Sequence, residues 1–231
     1  SLVIVPGWAL KHTIAALKIG SPLLGYLNDR SFTINYLPRY TLEGVGVPAS
    51  LKQQDMKTAH LIERPNLILE ELNLEPINYQ SYQIKNESRS GTHIVIHPTA
   101  RFKGRRWETQ NYVLLINRLY EVLDCLDAVY LIGGQEDYAT NETIAQTCSG
   151  LVVNKAGTLA MHDLPQLFAK SGLFIGSDSG PMHIAAFSGV AVIGLMGPNL
   201  PELSGPVGQY SHAVFHRQEC APCEQKGCVN D

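Results

Sequence analysis

The residues best equipped for chemistry lie in one run, Ser177-Asp178-Ser179-Gly180-Pro181-Met182-His183. It follows the apolar stretch Leu173-Phe174-Ile175 and leads into Ile184, Ala185, Ala186 and Phe187, so it reads as the junction between a buried strand and a helix. Pro181 suits the first helical position and Gly189 the stop. A helix N-terminus has backbone N–H groups without helical partners and a partial positive charge, which together suit a phosphate. Small residues in the loop let a ligand approach the backbone, and Asp178, Ser179 and His183 add polar side chains. The next apolar run, Val190–Leu195, is a second strand, so the unit is strand–loop–helix–strand. Its ligand site falls at the carboxyl end of a parallel strand. The plainer alternative is that Asp178 or Ser179 caps the helix and His183 lies on the surface.

Three other segments carry groups of the right kind. Strand Ile94-Val95-Ile96 runs into His97-Pro98-Thr99-Ala100-Arg101-Phe102-Lys103-Gly104-Arg105-Arg106-Trp107, where a strand's carboxyl end meets cations able to neutralise a diphosphate. Most basic loops are simply solvated; the position of this one favours function. Leu131-Ile132-Gly133-Gly134-Gln135-Glu136-Asp137 ends another strand. Its glycines permit a tight turn, and a carboxylate just beyond can accept both hydroxyls of a ribose, with capping by Asp137 as the alternative. Cys220, Cys223 and Cys228 form a C-x2-C-x4-C cluster. A four-ligand zinc site there needs a fourth group, from His216 or from beyond Asp231, and its role would be structural rather than catalytic.

These residues need elements to hold them. From Thr92 onward strands and helices alternate. An amphipathic helix carries Tyr112, Leu115, Ile116, Leu119 and Leu123 on one face. Strand Ala128–Ile132, a helix near Ala139–Thr147, strand Leu151–Val153 and a helix from Asp163 to Ala169 then lead to the Leu173 strand. Short loops between such elements specify an α/β fold with a parallel, doubly wound sheet. Before Ser88 the pattern differs: strand Leu2–Val5, helix Ile14–Ile19, a strand at Leu23–Tyr26, an irregular stretch over 28–57, and a helix opened by Pro65 and running to Leu72. The polar run Lys85–Gly91 reads as a linker.

The chain has 231 residues and a formal charge of −3. That length accommodates one large domain or two small ones, and the charge argues against nucleic acid as the main partner. No apolar run approaches the roughly 20 residues of a membrane span. Five cysteines, Cys125 and Cys148 isolated among them, do not make a disulfide framework, and a cytoplasmic protein is the simpler account. Ser1 opens directly in a strand and the chain stops just after the cysteine cluster, so both ends read as cut from a longer protein.

The string from Ser177 to Ala186, followed by a strand and Gly197-Pro198-Asn199, resembles the signature of the heptosyltransferase-type enzymes of glycosyltransferase family 9. The resemblance implies a GT-B arrangement of two Rossmann-like domains. Residues 1–88 would be part of an N-terminal acceptor-side domain plus linker, and 89–231 the C-terminal domain that binds a nucleotide sugar. It implies transfer of a sugar, heptose from ADP-heptose, to a lipopolysaccharide-core acceptor with inversion at the anomeric carbon, and at most peripheral association with the membrane. Carried over residue by residue, the donor contacts are Thr99, Arg105 (where the family more often has Lys, with Lys103 as competitor), Glu136 for the ribose, Leu159 of Ala156–Met161 for the base, and Asp178, Ser179, Gly180 and His183. Arg105 also stabilises the leaving group. Asp178 and His183 are expected to face the cleft, with Asp178 accepting from sugar hydroxyls or loop N–H groups. No cofactor is required, since no Asp-x-Asp pair calls for a divalent cation. The family's base, an aspartate in the first strand–helix loop, would precede Ser1. A nucleotide-sugar epimerase of the same architecture and a noncatalytic nucleotide-binding module are the rivals.

Overall fold

The computed structural model describes residues 3–5, 23–25, 58–63, 66, 67, 70, 75–78 and 91–223. The chain divides into two units, Ser1–Ile77 and Asn78–Asp231. In the first, β1 (Val3–Val5) and β2 (Leu23–Gly25) pair in parallel with Val3 opposite Leu23, in the two places where strands are expected. The helix expected at Ile14–Ile19, the stretch 28–57 and nearly all of the Lys85–Gly91 linker lie outside the described residues. So does much of the helix expected from Pro65.

The second unit is built on a six-stranded, wholly parallel sheet. Its strands are β3 (His93–His97), β4 (Ala128–Leu131), β5 (Val152–Asn154), β6 (Leu173–Ser177), β7 (Ala191–Met196) and β8 (Ser211–Phe215), in the spatial order β5-β4-β3-β6-β7-β8. Between them run α1 (Thr109–Val122), α2 (Tyr138–Thr147), α3 (Leu164–Ala169), α4 (Gly180–Phe187) and the short α5 (Pro201–Ser204). The alternation read from the pattern is therefore present. β8 has no signal in the hydrophobic pattern: it is an edge strand of Ser-His-Ala-Val-Phe with no fully buried residue, so it lacks the apolar run that marks its neighbours.

Side chains alternate between two cores, as the two-residue period of a strand requires. Val95 and Phe174 point to one face, where α3 and α4 supply Leu164, Phe168, Met182, Ala185 and Ala186. Ile94, Ile96 and Ile175 point to the other, against Tyr112, Val113 and Ile116 of α1 and Ile144 of α2. Both faces are covered, which is why the inner strands read as continuous apolar runs. Within α1, Leu115 and Leu119 pack as expected. Leu123 instead lies just past the helix end and is exposed, while Val113 is buried in its place. Helix α4 starts at Gly180, one residue before Pro181, and Gly189 follows its end with φ 76°, a conformation costly for residues with a Cβ.

The helices after β3 and β6 leave these neighbouring strands toward opposite faces. Such a sheet has a crevice at that point, outside the strands' carboxyl ends. The loops bearing Thr99, Arg105 and Asp178–Gly180 all start there. Among the described residues no helix is long and apolar enough to cross a membrane.

Candidate functional site

At the end of β3, His97 pairs in register with Gly176 of β6. A Cβ on Gly176 would stand 2.7 Å from the Phe174 ring and 3.2 Å from the Cβ of His97, so glycine makes room for both side chains. His97 is buried, its Nδ1 3.0 Å from Ser179 Oγ and its Nε2 3.3 Å from Thr99 Oγ1. Burial lowers its pKa from 6.5 to about 4, against the opposing pull of Asp137. The ring is therefore neutral at physiological pH. On the far side of β6, Ser177 Oγ lies 3.3 Å from the hydroxyl of Tyr112, and burial raises that phenol's pKa to about 12.

The Asp178 carboxylate is the hub of the next layer. Its Oδ2 accepts from Asn199 Nδ2 at 2.5 Å and Ser204 Oγ at 3.3 Å, and pairs with Arg105 Nη1 at 3.2 Å. The same Nη1 donates to the Asp178 carbonyl at 3.4 Å. His183, one helical turn along and half-buried, has Nε2 4.0 Å from Asp178 Oδ1. Asp178 is only 3% exposed. Where a cleft-facing carboxylate is expected, the structure has a buried one: its Oδ2 is engaged by protein donors, as a carboxylate buried at a strand end requires. Its effect is to fix the Arg105 guanidinium at the mouth of the crevice. Asn199 and Ser204 come from the segment after β7, and their residue types alone do not mark them as site residues. The quoted Gly197-Pro198-Asn199 string was the only signal, and its use depends on β7 lying beside β6.

Of the two competing cations, Arg105 joins the site and Lys103 is exposed. The loop is held from several sides. Arg106 Nε donates to Ala100 O at 2.7 Å, and a Cβ on Gly197 would come within 2.9 Å of Gly104 O. The turn Lys103–Arg105 thus rests on Gly197, and the Arg105 guanidinium carbon lies 5.2 Å from the centre of the exposed Phe102 ring.

The helix N-terminus is not capped by a side chain. Ser179 occupies the capping position, yet its hydroxyl turns back to Ser177 O at 3.0 Å. The plain capping alternative therefore fails, for Ser179 by this bond and for Asp178 by its other partners. Thr99 is buried against His97, Gly180 is exposed at the start of α4, and Ser179 is half-buried between them. Backbone N–H groups and a guanidinium converge here, a set of the kind that suits a phosphate, while the Ser179 and Thr99 hydroxyls beside them are engaged by Ser177 O and His97.

On the other side of β3, the turn after β4 holds Glu136 exposed. Asp137 Oδ2 accepts from Gly134 N at 2.9 Å, so Asp137 does the capping and Glu136 is left toward solvent. Gly157, with φ 73°, donates to Gly133 O at 3.0 Å and ties this turn to the loop carrying Leu159. Leu159 is half-buried against the α3–α4 core, its remaining surface open. Cys223 N donates to Pro198 O at 3.0 Å, docking this segment on the β7 loop. Among the described residues no group of three His, Cys, Asp or Glu is placed to hold a metal, and Cys228 lies outside them.

A doubly wound sheet of this strand order, with a cation and a helix N-terminus meeting at its switch point, defines an α/β protein with a ligand crevice outside the carboxyl ends of its strands. The sequence pattern of glycosyltransferase family 9 (heptosyltransferase) matches residues 49–231, and the chain belongs to that family. It is 28% identical over 145 residues to lipooligosaccharide heptosyltransferase 2 of Campylobacter jejuni, covering 61% of this chain and 45% of the relative. It is 35% identical over 112 residues to lipopolysaccharide heptosyltransferase 3 of Escherichia coli, covering 46% of this chain and 31% of the relative. The chain thus spans less than half the length of either. The solved structure of E. coli ADP-heptose lipopolysaccharide heptosyltransferase II superimposes with a TM-score of 0.66 at 19% identity, over 95% of this chain and 70% of that one. That likeness identifies the fold as the GT-B type.

Proposed function

We propose that the chain is the donor-binding part of an inverting glycosyltransferase that moves heptose from ADP-heptose to a lipopolysaccharide-core acceptor. The observation that carries this reading is the Arg105 guanidinium held by buried Asp178 beside an uncapped helix N-terminus. The named relatives, all heptosyltransferases, supply the sugar and the acceptor class. In a single displacement, an acceptor hydroxyl attacks the anomeric carbon as the bond from that carbon to the diphosphate oxygen breaks. The hydroxyl proton passes to a carboxylate, for which no residue of this chain is assigned. ADP leaves with added negative charge, met by Arg105 and by the N–H groups of Ser179 and Gly180. Thr99 lines the floor of the diphosphate subsite through its contact with His97, Glu136 accepts from the ribose and Leu159 covers the base. His183 stands beside the sugar. No metal is needed where a guanidinium and a helix terminus neutralise the diphosphate; a structural zinc at Cys220, Cys223 and Cys228 is a separate question. The reaction belongs in the cytoplasm, at most at the inner face of the membrane. Calorimetric titration of the protein tests the reading: ADP should bind more tightly than AMP, and Arg105→Ala should remove most of the difference. Equal affinities in the unsubstituted protein would count against it.

A further inference from the structure

A serine at the start of a helix ordinarily turns its hydroxyl onto the first free N–H groups. Ser179 occupies that position with extended backbone (φ −159°, ψ 167°) and does not do so. Its one hydroxyl proton goes to Ser177 O at 3.0 Å, so toward His97 Nδ1, also at 3.0 Å, the oxygen can only accept. Assigned in this way, the ring proton sits on Nδ1 and Nε2 accepts from the Thr99 hydroxyl at 3.3 Å. This assignment gives every donor in the chain Thr99–His97–Ser179–Ser177 one acceptor. It also holds the natural cap away from the helix. Gly176 gives the ring its space, since a Cβ there would crowd the Cβ of His97.

We infer that His97 is a positioning residue that keeps Ser179 from capping α4 and so reserves the helix N-terminus for the diphosphate of the ligand. The inference rests on the diphosphate reading proposed above, and it adds the group that holds that subsite open. Without the ring, Ser179 is released to rotate onto the N–H groups of its own helix, where it competes with the phosphate. The neutral state of the buried ring agrees with this role, because the Nδ1–H tautomer then persists through the physiological range.

Four variants and two measurements test it, with thermal unfolding as the check on folding. In His97→Leu, ADP affinity should fall by about twofold to thirtyfold, the range set by the strength of a serine cap. In His97→Leu/Ser179→Ala the competing cap is gone, and affinity should return to that of Ser179→Ala alone. His97→Asn keeps an N–H near the Nδ1 position and should retain most of the affinity. A merely structural histidine predicts neither the recovery in the double variant nor the rescue by Asn. Additive losses in the double variant would overturn the inference. Nitrogen NMR of the unliganded ring supplies a readout independent of ligand and of any variant's folding: the Nδ1–H tautomer is expected, and the Nε2–H tautomer overturns the assignment. If unsubstituted protein shows no preference for ADP over AMP, the diphosphate reading fails. The ring tautomer then still reports separately on the hydrogen-bond chain.

Discussion

Asp178 holds Arg105, Asn199 and Ser204 with a carboxylate that solvent barely reaches. Replacing it with Asn keeps the shape but removes the charge facing Arg105. Hydrogen bonds to charged groups contribute about 1.5–3 kcal/mol each, so Asp178→Asn should lower stability by an amount in that range. It should also weaken ADP binding, as Arg105 loses its anchor. Unfolding curves and ADP titrations on the same samples check both; a variant stable as the parent would show the hub to be dispensable. His97 brings a pH dependence whose sign follows from its lowered pKa. Above about pH 6.5 it is neutral in both folded and unfolded chains and contributes nothing to the pH dependence. Between about 6.5 and 4 the unfolded chain binds a proton that the folded chain does not, so stability falls as pH falls. Below about 4 both forms are protonated and the loss from this group is complete. The full loss is on the order of 3 kcal/mol. Denaturant unfolding at pH 7 and pH 4.5 should show this acid sensitivity diminished in His97→Asn, which has no group titrating in that window.

At the level of elements, the position of Arg105 depends on the contact between its short turn and the glycine after β7. Gly197→Ala would place a methyl 2.9 Å from Gly104 O, closer than real Cβ contacts ordinarily come. Gly197 is exposed, so the turn can shift without opening the core. The expected result is a loss of ADP affinity of about tenfold at a stability cost below about 1 kcal/mol. Gly176→Ala should behave the other way. Its Cβ meets Phe174 and His97 inside the sheet, and the strain of overpacking a core is about 1–3 kcal/mol. Parallel melting and ADP titration of the two variants separate a shifted loop from a strained sheet. Similar stability losses in both would remove the distinction.

For the whole molecule, the described site lies within one of the two compact units, Asn78–Asp231, whose sheet has its own core on both faces. A unit with its own core can in principle fold alone. Residues 78–231 produced by themselves should therefore unfold cooperatively and bind ADP with the affinity of the 231-residue chain. Circular dichroism establishes the first point and calorimetry the second. A folded fragment with much weaker ADP binding would mean that groups in Ser1–Ile77 complete the donor site.

Much of this was legible in the residues themselves. The continuous apolar runs at Ile94, Val129 and Phe174 and the helical spacing of Tyr112, Ile116 and Leu119 identify a parallel α/β sheet, because burial on both faces leaves few polar positions in an inner strand. Pro181 and Gly189 mark α4 to within a residue, since both act through backbone geometry that is local to the chain. The polar groups of the strand ends could likewise be picked out by position, as could the family to which their pattern points. What the sequence could not supply was which of those groups meet. Asn199 and Ser204 reach Asp178 only because β7 pairs beside β6, and His97 reaches Ser179 only because β3 and β6 are neighbours, 82 residues apart along the chain. Asp178 reads as a cleft residue from its place in a loop, yet it is buried by partners drawn from two other loops. Backbone preference and burial are inherited from near neighbours in sequence. Hydrogen-bond partnership depends on the order of strands in the sheet, and tertiary structure alone decided that.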